Sequence, residues 1–152
     1  MKEEHVLTIE NLQSYFFTAK GTVPAVDDVT IEVPAGKIIG LVGESGCGKS
    51  MTAMSVMGLL RHPGKVVGGR ILLDGRDITH LGPKERAGVR GNEISMIFQE
   101  PMTSLNPVIT VGKQLMEVFR SHEKMTREEA WKKSVEALEL VKIASPEQRM
   151  KE

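Results

Sequence analysis

Eight consecutive residues in the first third of the chain have the types and spacing that bind phosphate. They match the pattern G-x-x-x-x-G-K-[ST] in full and read Gly43, Glu44, Ser45, Gly46, Cys47, Gly48, Lys49 and Ser50. The glycines let the backbone curl so that successive N–H groups point at phosphate oxygens. Lys49 is predicted to reach the β- and γ-phosphates of a nucleotide, and Ser50 to place its hydroxyl on Mg²⁺.

The segments on either side of this loop fit the same chemistry. Residues 37–42 are nearly all apolar, which predicts a short strand buried on both faces. A helix is predicted from about Lys49 to Leu60, and its positive amino end would face the same phosphates. We expect the backbone N–H of Cys47 to matter more than its thiol, and we expect alkylation of that thiol to weaken nucleotide binding.

The remaining elements follow from hydrophobic periodicity and turn residues. Alternation predicts strands over residues 6–13, extended through Phe17, and over residues 26–33. Residues 67–73 with the Asp74-Gly75 turn predict a hairpin. A short helix is predicted over 83–90, a buried strand over 93–98, and helices after Pro107.

One of these later helices has a recognisable start. Thr126 and Glu129 form a capping box, in which each side chain satisfies a backbone donor of the first turn. Trp131, Val135 and Leu138 then recur at helical spacing. Their spacing predicts that Trp131 is a core anchor rather than a ligand contact.

Composition excludes several classes of protein. The 152 residues are near the size of one domain, and 20 basic residues balance 20 acidic ones. A chain without net charge gives no reason to expect nucleic acid as a partner. A single cysteine excludes an internal disulfide framework. No apolar stretch is long enough to span a bilayer or to form a signal peptide, so a cytoplasmic location is expected.

The phosphate motif alone does not separate transport ATPases from kinases or GTPases. Residues 25–29 before it, and Gly69 to Ile71 with Asp74-Gly75 after it, resemble the ATP-binding subunit of an ABC transporter. Residues 97–107 are similar to the Q-loop segment of the importer branch for oligopeptides, dipeptides and nickel. No acceptor-binding motif of a soluble kinase or GTPase is found. The resemblance covers essentially the whole chain.

The resemblance also assigns roles to single residues. Gln99 matches the Q-loop glutamine, which in the family contacts Mg²⁺ and senses the membrane subunits. Phe16 aligns with the aromatic residue that stacks on adenine, although Tyr15 and Phe17 compete for this role. Val26 is expected to flank the adenine or ribose. Met51 stands where many relatives have threonine, and its backbone N–H can still serve the α-phosphate.

The implied fold is an α/β P-loop NTPase core with an antiparallel β subdomain over residues 1–106 and a partial helical subdomain over 107–152. The implied cofactors are ATP and Mg²⁺. The implied activity is the coupling of ATP binding and hydrolysis to import of peptides or nickel. The implied partners are transmembrane permease subunits, contacted through the Q-loop region, and a second ATP-binding subunit. The implied location is the inner face of the cell membrane.

Several residues of a complete ABC ATPase have no match in this sequence. There is no Leu-Ser-Gly-Gly-Gln-type signature, no Walker B aspartate with a catalytic glutamate, and no switch histidine. We therefore expect an N-terminal portion truncated before these motifs, with no catalytic base of its own. Such a chain should bind nucleotide weakly and not hydrolyse it, and an apolar sheet edge could lead to self-association. The alternative is a non-catalytic nucleotide-binding or interaction fragment.

Overall fold

A computed structural model describes residues 5–100 and 104–152 of the chain. The chain divides into two compact units, the first ending at Arg90 and the second beginning at Gly91. Each unit has its own buried residues and is described by itself. The subdomain boundary that the sequence predicts, between residues 106 and 107, remains a prediction.

The first unit is built on an antiparallel sheet with the strand order β2-β1-β3-β4. The strands are β1 (His5–Thr18), β2 (Gly21–Pro34), β3 (Gly64–Leu73) and β4 (Arg76–Asp77). The three strand predictions over 6–17, 26–33 and 67–73 are confirmed, and each strand is longer than predicted. Asp74 and Gly75 both have positive φ, as the predicted hairpin turn between β3 and β4 requires.

Alternation along the strands produces the core of this unit. Ile9 of β1 lies opposite Ile71 of β3, and both side chains are buried. Leu12, Leu73 and Ile78 are buried with them. Because neighbouring strands bring these apolar side chains to one face, the sheet has one face that must be covered.

Two short helices belong to the same unit. Helix α1 (Lys49–Val56) follows the phosphate motif, and helix α2 (Pro83–Val89) confirms the helix predicted over 83–90. α1 ends four residues before the predicted Leu60, because Gly58 at φ +60° turns the chain out of the helix. The hydroxyl groups of Ser14 on β1 and Ser55 on α1 are both buried and lie 2.8 Å apart, which attaches the helix to the sheet.

The strand predicted over residues 37–42 is wrong. These residues form no regular element, and Ile38 and Val42 are 99% and 91% exposed. The strand predicted over 93–98 is also wrong, since residues 95–98 are irregular and Ile97 is 94% exposed. A strand buried on both faces needs hydrogen-bonded neighbours on both sides. None of the four strands in the described part of the chain pairs with either segment.

The second unit is helical, with α3 (Val111–His122), α4 (Arg127–Leu140) and α5 (Pro146–Arg149). Met116, Ala130 and Met150 form its buried cluster, and Trp131, Val135 and Leu138 pack against that cluster as predicted. The capping box of α4 is confirmed. The Thr126 N–H donates to the Glu129 carboxylate at 2.7 Å, and the Glu129 N–H donates to the Thr126 hydroxyl at 3.2 Å.

On the sheet, one tyrosine makes a defined polar contact. The Tyr15 hydroxyl donates a hydrogen bond of 2.7 Å to the carboxylate of Asp27, which also accepts one from the Gln13 amide at 3.2 Å. This hydrogen bond to Asp27 raises the pKa of Tyr15 above its ordinary value of 10.0, and desolvation and the negative charge of Asp27 act in the same direction. The bond therefore favours the folded state below pH 10.0 and is lost as the pH rises through the higher folded-state pKa.

A pair of isoleucines tests the core and the exposed segment together. Ile71→Ala removes a side chain with no exposure, and we expect it to lower the free energy of unfolding by about 2–5 kcal/mol. Ile38→Ala makes the same chemical change at a 99% exposed position, and we expect an effect within about 0.5 kcal/mol. Urea unfolding followed by circular dichroism measures both. An equal decrease in the free energy of unfolding in the two variants would show that residues 37–42 are buried.

The Tyr15 contact has its own spectroscopic test, because Tyr15 is the only tyrosine in the chain. Ultraviolet absorbance of tyrosinate should give a titration midpoint above 10.0 in the folded protein. Asp27→Asn should lower that midpoint, since it removes the charge that opposes ionisation. Asp28→Asn is the control, because the Asp28 carboxylate accepts a hydrogen bond from Asn11 instead. A midpoint that is the same in all three proteins would contradict the contact.

Candidate nucleotide-binding site

The phosphate motif forms a tight loop that lies against β2. Gly46 and Gly48 have φ values of +84° and +93°, which side chains other than glycine rarely adopt. A Cβ on Gly48 would lie 2.5 Å from the carbonyl oxygen of Ala25. The register of β1 with β2 passes from Ser14↔Val26 to Tyr15↔Pro24, so Ala25 is the extra residue of a β-bulge. The bulge and the missing Cβ together let the loop approach the sheet.

Lys49 holds its side chain across this loop. The Lys49 ammonium donates hydrogen bonds of 2.6 Å to the carbonyl oxygens of both Gly43 and Glu44. The Cys47 sulfur lies 3.4 Å from the same nitrogen. An ammonium has three donors and a mobile stem, so Lys49 can exchange these carbonyls for phosphate oxygens without a change in the fold.

The amino end of α1 provides further donors for an anion. The Thr52 N–H donates to the Gly48 carbonyl at 2.8 Å, so the N–H groups of Lys49, Ser50 and Met51 precede the first bond within the helix. No side chain of the described residues caps α1, and its first turn contains no acidic residue. The positive end of the helix is therefore not compensated by the protein itself.

Ser50 is exposed in this first turn. Its hydroxyl is a hard oxygen ligand of the kind that Mg²⁺ accepts, and magnesium sites in nucleotide-binding proteins combine one or two such protein ligands with water and phosphate oxygens. The residues around the loop therefore fit a magnesium–nucleotide complex.

Two further predicted site residues can be placed relative to the loop. A Val26 methyl group lies 4.0 Å from where a Cβ on Gly48 would be, so the structure brings Val26 and the loop together. Val26 is buried, so the contact packs the loop against the sheet. Phe16 lies on the face of β1 that also carries Ser14, because side chains alternate along a strand. Since Ser14 bonds to α1, Phe16 is on the side of the sheet where the P-loop helix packs.

The two neighbouring aromatic residues lie on the opposite face of β1. Tyr15 donates its hydroxyl to Asp27, and the Lys65 ammonium lies 4.7 Å from the centre of the Phe17 ring. The ring of Phe16 lies over Gly64, where a Cβ would come within 2.6 Å of it. Of the three candidates, Phe16 therefore has the orientation that suits a base bound next to α1.

Gln99 belongs to the second unit, where it is exposed in an irregular segment. Residues 101–103 of the predicted Q-loop segment lie outside the described residues. The role of Gln99 therefore remains a prediction. The second unit also contains an open groove of about 960 Å³ between α3, α4 and α5, with Trp131 in its wall. None of the predicted site residues lines this groove.

Two residues that contact the far end of α1 were not predicted from the sequence. Arg86 and Arg90 of the α2 region donate hydrogen bonds to carbonyl oxygens at the carboxyl end of α1. They are more than 30 residues from the phosphate motif along the chain. The only sequence signal is the spacing of two arginines by four residues, one on α2 and one just after it, and this spacing alone is not specific.

Comparison with known proteins agrees with this geometry. The oligopeptide transport ATP-binding protein AppD of Bacillus subtilis is 47% identical over 148 residues, which are 97% of this chain and 45% of that protein. The dipeptide transport ATP-binding protein DppD of the same organism is 48% identical over 150 residues, 98% of this chain and 45% of that protein. The chain thus spans less than half the length of these relatives.

A solved structure shows the same fold. The dimeric structure of MJ0796, a bacterial ABC transporter cassette, matches with a TM-score of 0.78 at 20% identity, over 95% of this chain and 60% of that one. The predicted combination of a P-loop core, an antiparallel β subdomain and a helical subdomain is confirmed at the level of the fold. The family model for ABC transporters matches residues 26–152. The chain belongs to the ABC transporter family, as its sequence motifs predicted.

Proposed function

We propose that this chain binds ATP with Mg²⁺ and is the ATP-binding component of an importer that takes up peptides. The observation that carries the proposal is the arrangement at the amino end of α1. There, the Lys49 ammonium spans the phosphate loop, and three backbone N–H groups have no partner in the helix. A positive helix end combined with a movable lysine is the arrangement that binds nucleotide phosphates.

Each site residue then has a definite task. Lys49 leaves the carbonyl oxygens of Gly43 and Glu44 and bonds to the β- and γ-phosphates. The backbone N–H groups of the loop, including that of Met51, hold the remaining phosphate oxygens. Ser50 would hold Mg²⁺, which would neutralise charge on the phosphates, and the family resemblance assigns Gln99 as a further magnesium ligand. Phe16 stacks on the adenine, and Val26 packs against the loop at Gly48.

The relatives support the transport part of the proposal. The names of AppD and DppD give oligopeptide and dipeptide transport, so peptides are a better-supported cargo than nickel. Among the described residues, no helix is long and apolar enough to cross a membrane. We infer that transmembrane permease subunits form the channel, and that this protein binds them at the inner membrane face. A second ATP-binding subunit would complete the nucleotide site.

The 152 residues alone should bind nucleotide weakly and hydrolyse it negligibly. Phosphoryl transfer depends on a positioned water and on several groups that stabilise charge at once. The sequence contains no residue that matches the family's general base or its signature motif. The exposed apolar side chains of Ile38, Val42 and Ile97 favour self-association of the chain. The alternative function is a non-catalytic nucleotide-binding or interaction fragment.

Nucleotide binding can be tested at Lys49. We expect Lys49→Ala to weaken binding of a fluorescent ATP analogue about 10- to 100-fold, because it removes a charge-assisted hydrogen bond to phosphate. Lys37→Ala is the control, since Lys37 is an exposed lysine that lies a few residues before the loop. Affinity is measured by titration with and without Mg²⁺. If the unmodified protein does not bind the analogue, or if both variants bind equally, the proposed function is wrong.

Cys47 offers a second test, since it is the only cysteine and is exposed. Its sulfur would lie 2.7 Å from a Cβ on Gly43, so the thiol projects over the loop. Iodoacetamide should therefore weaken analogue binding by filling part of the phosphate space, and bound ATP should slow the modification. Cys47→Ser should bind normally and be insensitive to the reagent. Unchanged affinity after complete alkylation would contradict the placement of the phosphates.

A further inference from the structure

The carboxyl end of α1 is satisfied by an unusually complete set of hydrogen bonds. The N–H of Leu59 donates to the Met54 carbonyl at 2.8 Å, and the N–H of Gly58 donates to the Ser55 carbonyl at 3.0 Å. These two bonds are a Schellman motif, with Gly58 at φ +60° in the left-handed position. The motif leaves the carbonyl oxygens that follow Ser55 without partners in the helix.

Two arginines provide those partners. The Arg86 guanidinium donates to the Val56 carbonyl at 3.2 Å, and Arg90 donates to the Met57 carbonyl at 2.7 Å and to the Gly58 carbonyl. The carboxyl end of a helix is its negative end, so two cations there are favourable. The two ends of α1 thus differ. The arginines offset the negative partial charge of its carboxyl end, whereas no side chain in the described part of the chain offsets the positive partial charge of its amino end.

Arg86 also connects this end of α1 to the segment after β4 through hydrogen bonds. A second nitrogen of its guanidinium donates to the carbonyl oxygens of Ile78 at 2.5 Å and Thr79 at 3.1 Å. The side chain is only 7% exposed, and burial, together with the positive charge of Arg90, lowers its pKa. Because an arginine keeps its proton at any physiological pH, the buried group is a cation that the surrounding carbonyls must stabilise.

α1 has few other attachments to the unit. Within α1, only Thr52, Ser55 and Val56 are buried, and Met57 just after it adds a second buried apolar side chain, so apolar burial restrains the helix only at its carboxyl end. The Thr52 hydroxyl donates to the helix's own backbone. The helix is linked to the sheet by the Ser14–Ser55 contact and by the approach of Gly48, at its amino end, to Ala25. With the amino end held at Gly48, the direction of this helix, which is about 12 Å long, depends on the arginines that hold its carboxyl end.

We propose that Arg86 and Arg90 are positioning residues of the phosphate site, which they influence by fixing the direction of α1. This inference rests on the proposed nucleotide binding. Because Gly48 lies against Ala25 at the start of α1, a shift of the carboxyl end rotates the helix about this point and changes the direction of the groups in its first turn. Lys49, Ser50 and the free N–H groups then no longer match the phosphates. Binding groups must be held to within a fraction of an ångström to be effective.

Lysine cannot replace Arg86 in this role. The planar guanidinium binds the carbonyl of α1 and the two carbonyls after β4 from different nitrogens, whereas a lysine ammonium is a single point charge. Arg86→Lys keeps the charge and most of the volume, so it tests the direction of the hydrogen bonds rather than the electrostatics. Arg90→Lys makes the same change at a partly exposed position, where unfolding is a smaller risk.

The experiment compares Arg86→Lys and Arg90→Lys with Arg70→Lys. Arg70 is an exposed β3 residue of the same unit that pairs with Glu10. Binding of the fluorescent ATP analogue, and its displacement by tripolyphosphate, are measured at a temperature at which circular dichroism shows each protein to be folded. We expect Arg86→Lys and Arg90→Lys to weaken binding of both ligands about tenfold, as misplacement of phosphate-binding groups requires, and Arg70→Lys to leave it unchanged.

Two outcomes would overturn the inference. One is a lower melting temperature with unchanged affinity, which would show that the arginines only stabilise the fold. The other is an equal loss of affinity in the Arg70→Lys control. The proposed function fails separately, because in that case the unmodified protein does not bind the analogue at all. If Arg86→Lys is unfolded, Arg90→Lys alone decides the question.

Discussion

The close approach of Gly48 to the carbonyl of Ala25 is the contact on which the phosphate site depends. It joins the loop to the antiparallel sheet at the point where β2 bulges, and no residue with a Cβ fits there. The approach fixes where α1 begins and places its amino end beside the sheet face that carries Phe16. The loop, the helix and the aromatic residue therefore lie together because a bulge and a glycine occur at facing positions.

The partial charges at the two ends of α1 explain why its amino end suits an anion. In α4, Thr126 and Glu129 satisfy the first N–H groups, and two acidic residues stand in the first turn. α1 has neither a side-chain cap from the described residues nor an acidic residue in its first turn, although Arg86 and Arg90 bind the carbonyl oxygens at its carboxyl end. An amino end without a cap or an acidic residue lowers the stability of the protein without ligand. That stability is recovered when an anion binds there. The helix thus gives up stability at the end where the proposed ligand supplies the missing charge.

The sequence predicted features that depend on neighbouring residues. The phosphate loop, the Asp74-Gly75 turn and the Thr126–Glu129 capping box each follow from a few adjacent side chains, and each fixes its own backbone. The strand predictions at 37–42 and 93–98 were wrong because an apolar run indicates burial and does not identify a hydrogen-bonding partner. The contacts of Arg86 were missed because they join residues that are 7 to 30 positions apart without any periodic pattern.

The two wrong strand predictions share a physical meaning. Residues 38–42 and 97–98 have the composition of buried parallel strands, yet Ile38, Val42 and Ile97 are almost fully exposed. Apolar side chains at this exposure gain free energy when another surface covers them. Residues 38–42 lead directly into the phosphate loop, so a strand that paired with them would also fix the start of the loop. Covering this segment should therefore raise nucleotide affinity as well as stability, since both depend on the same backbone.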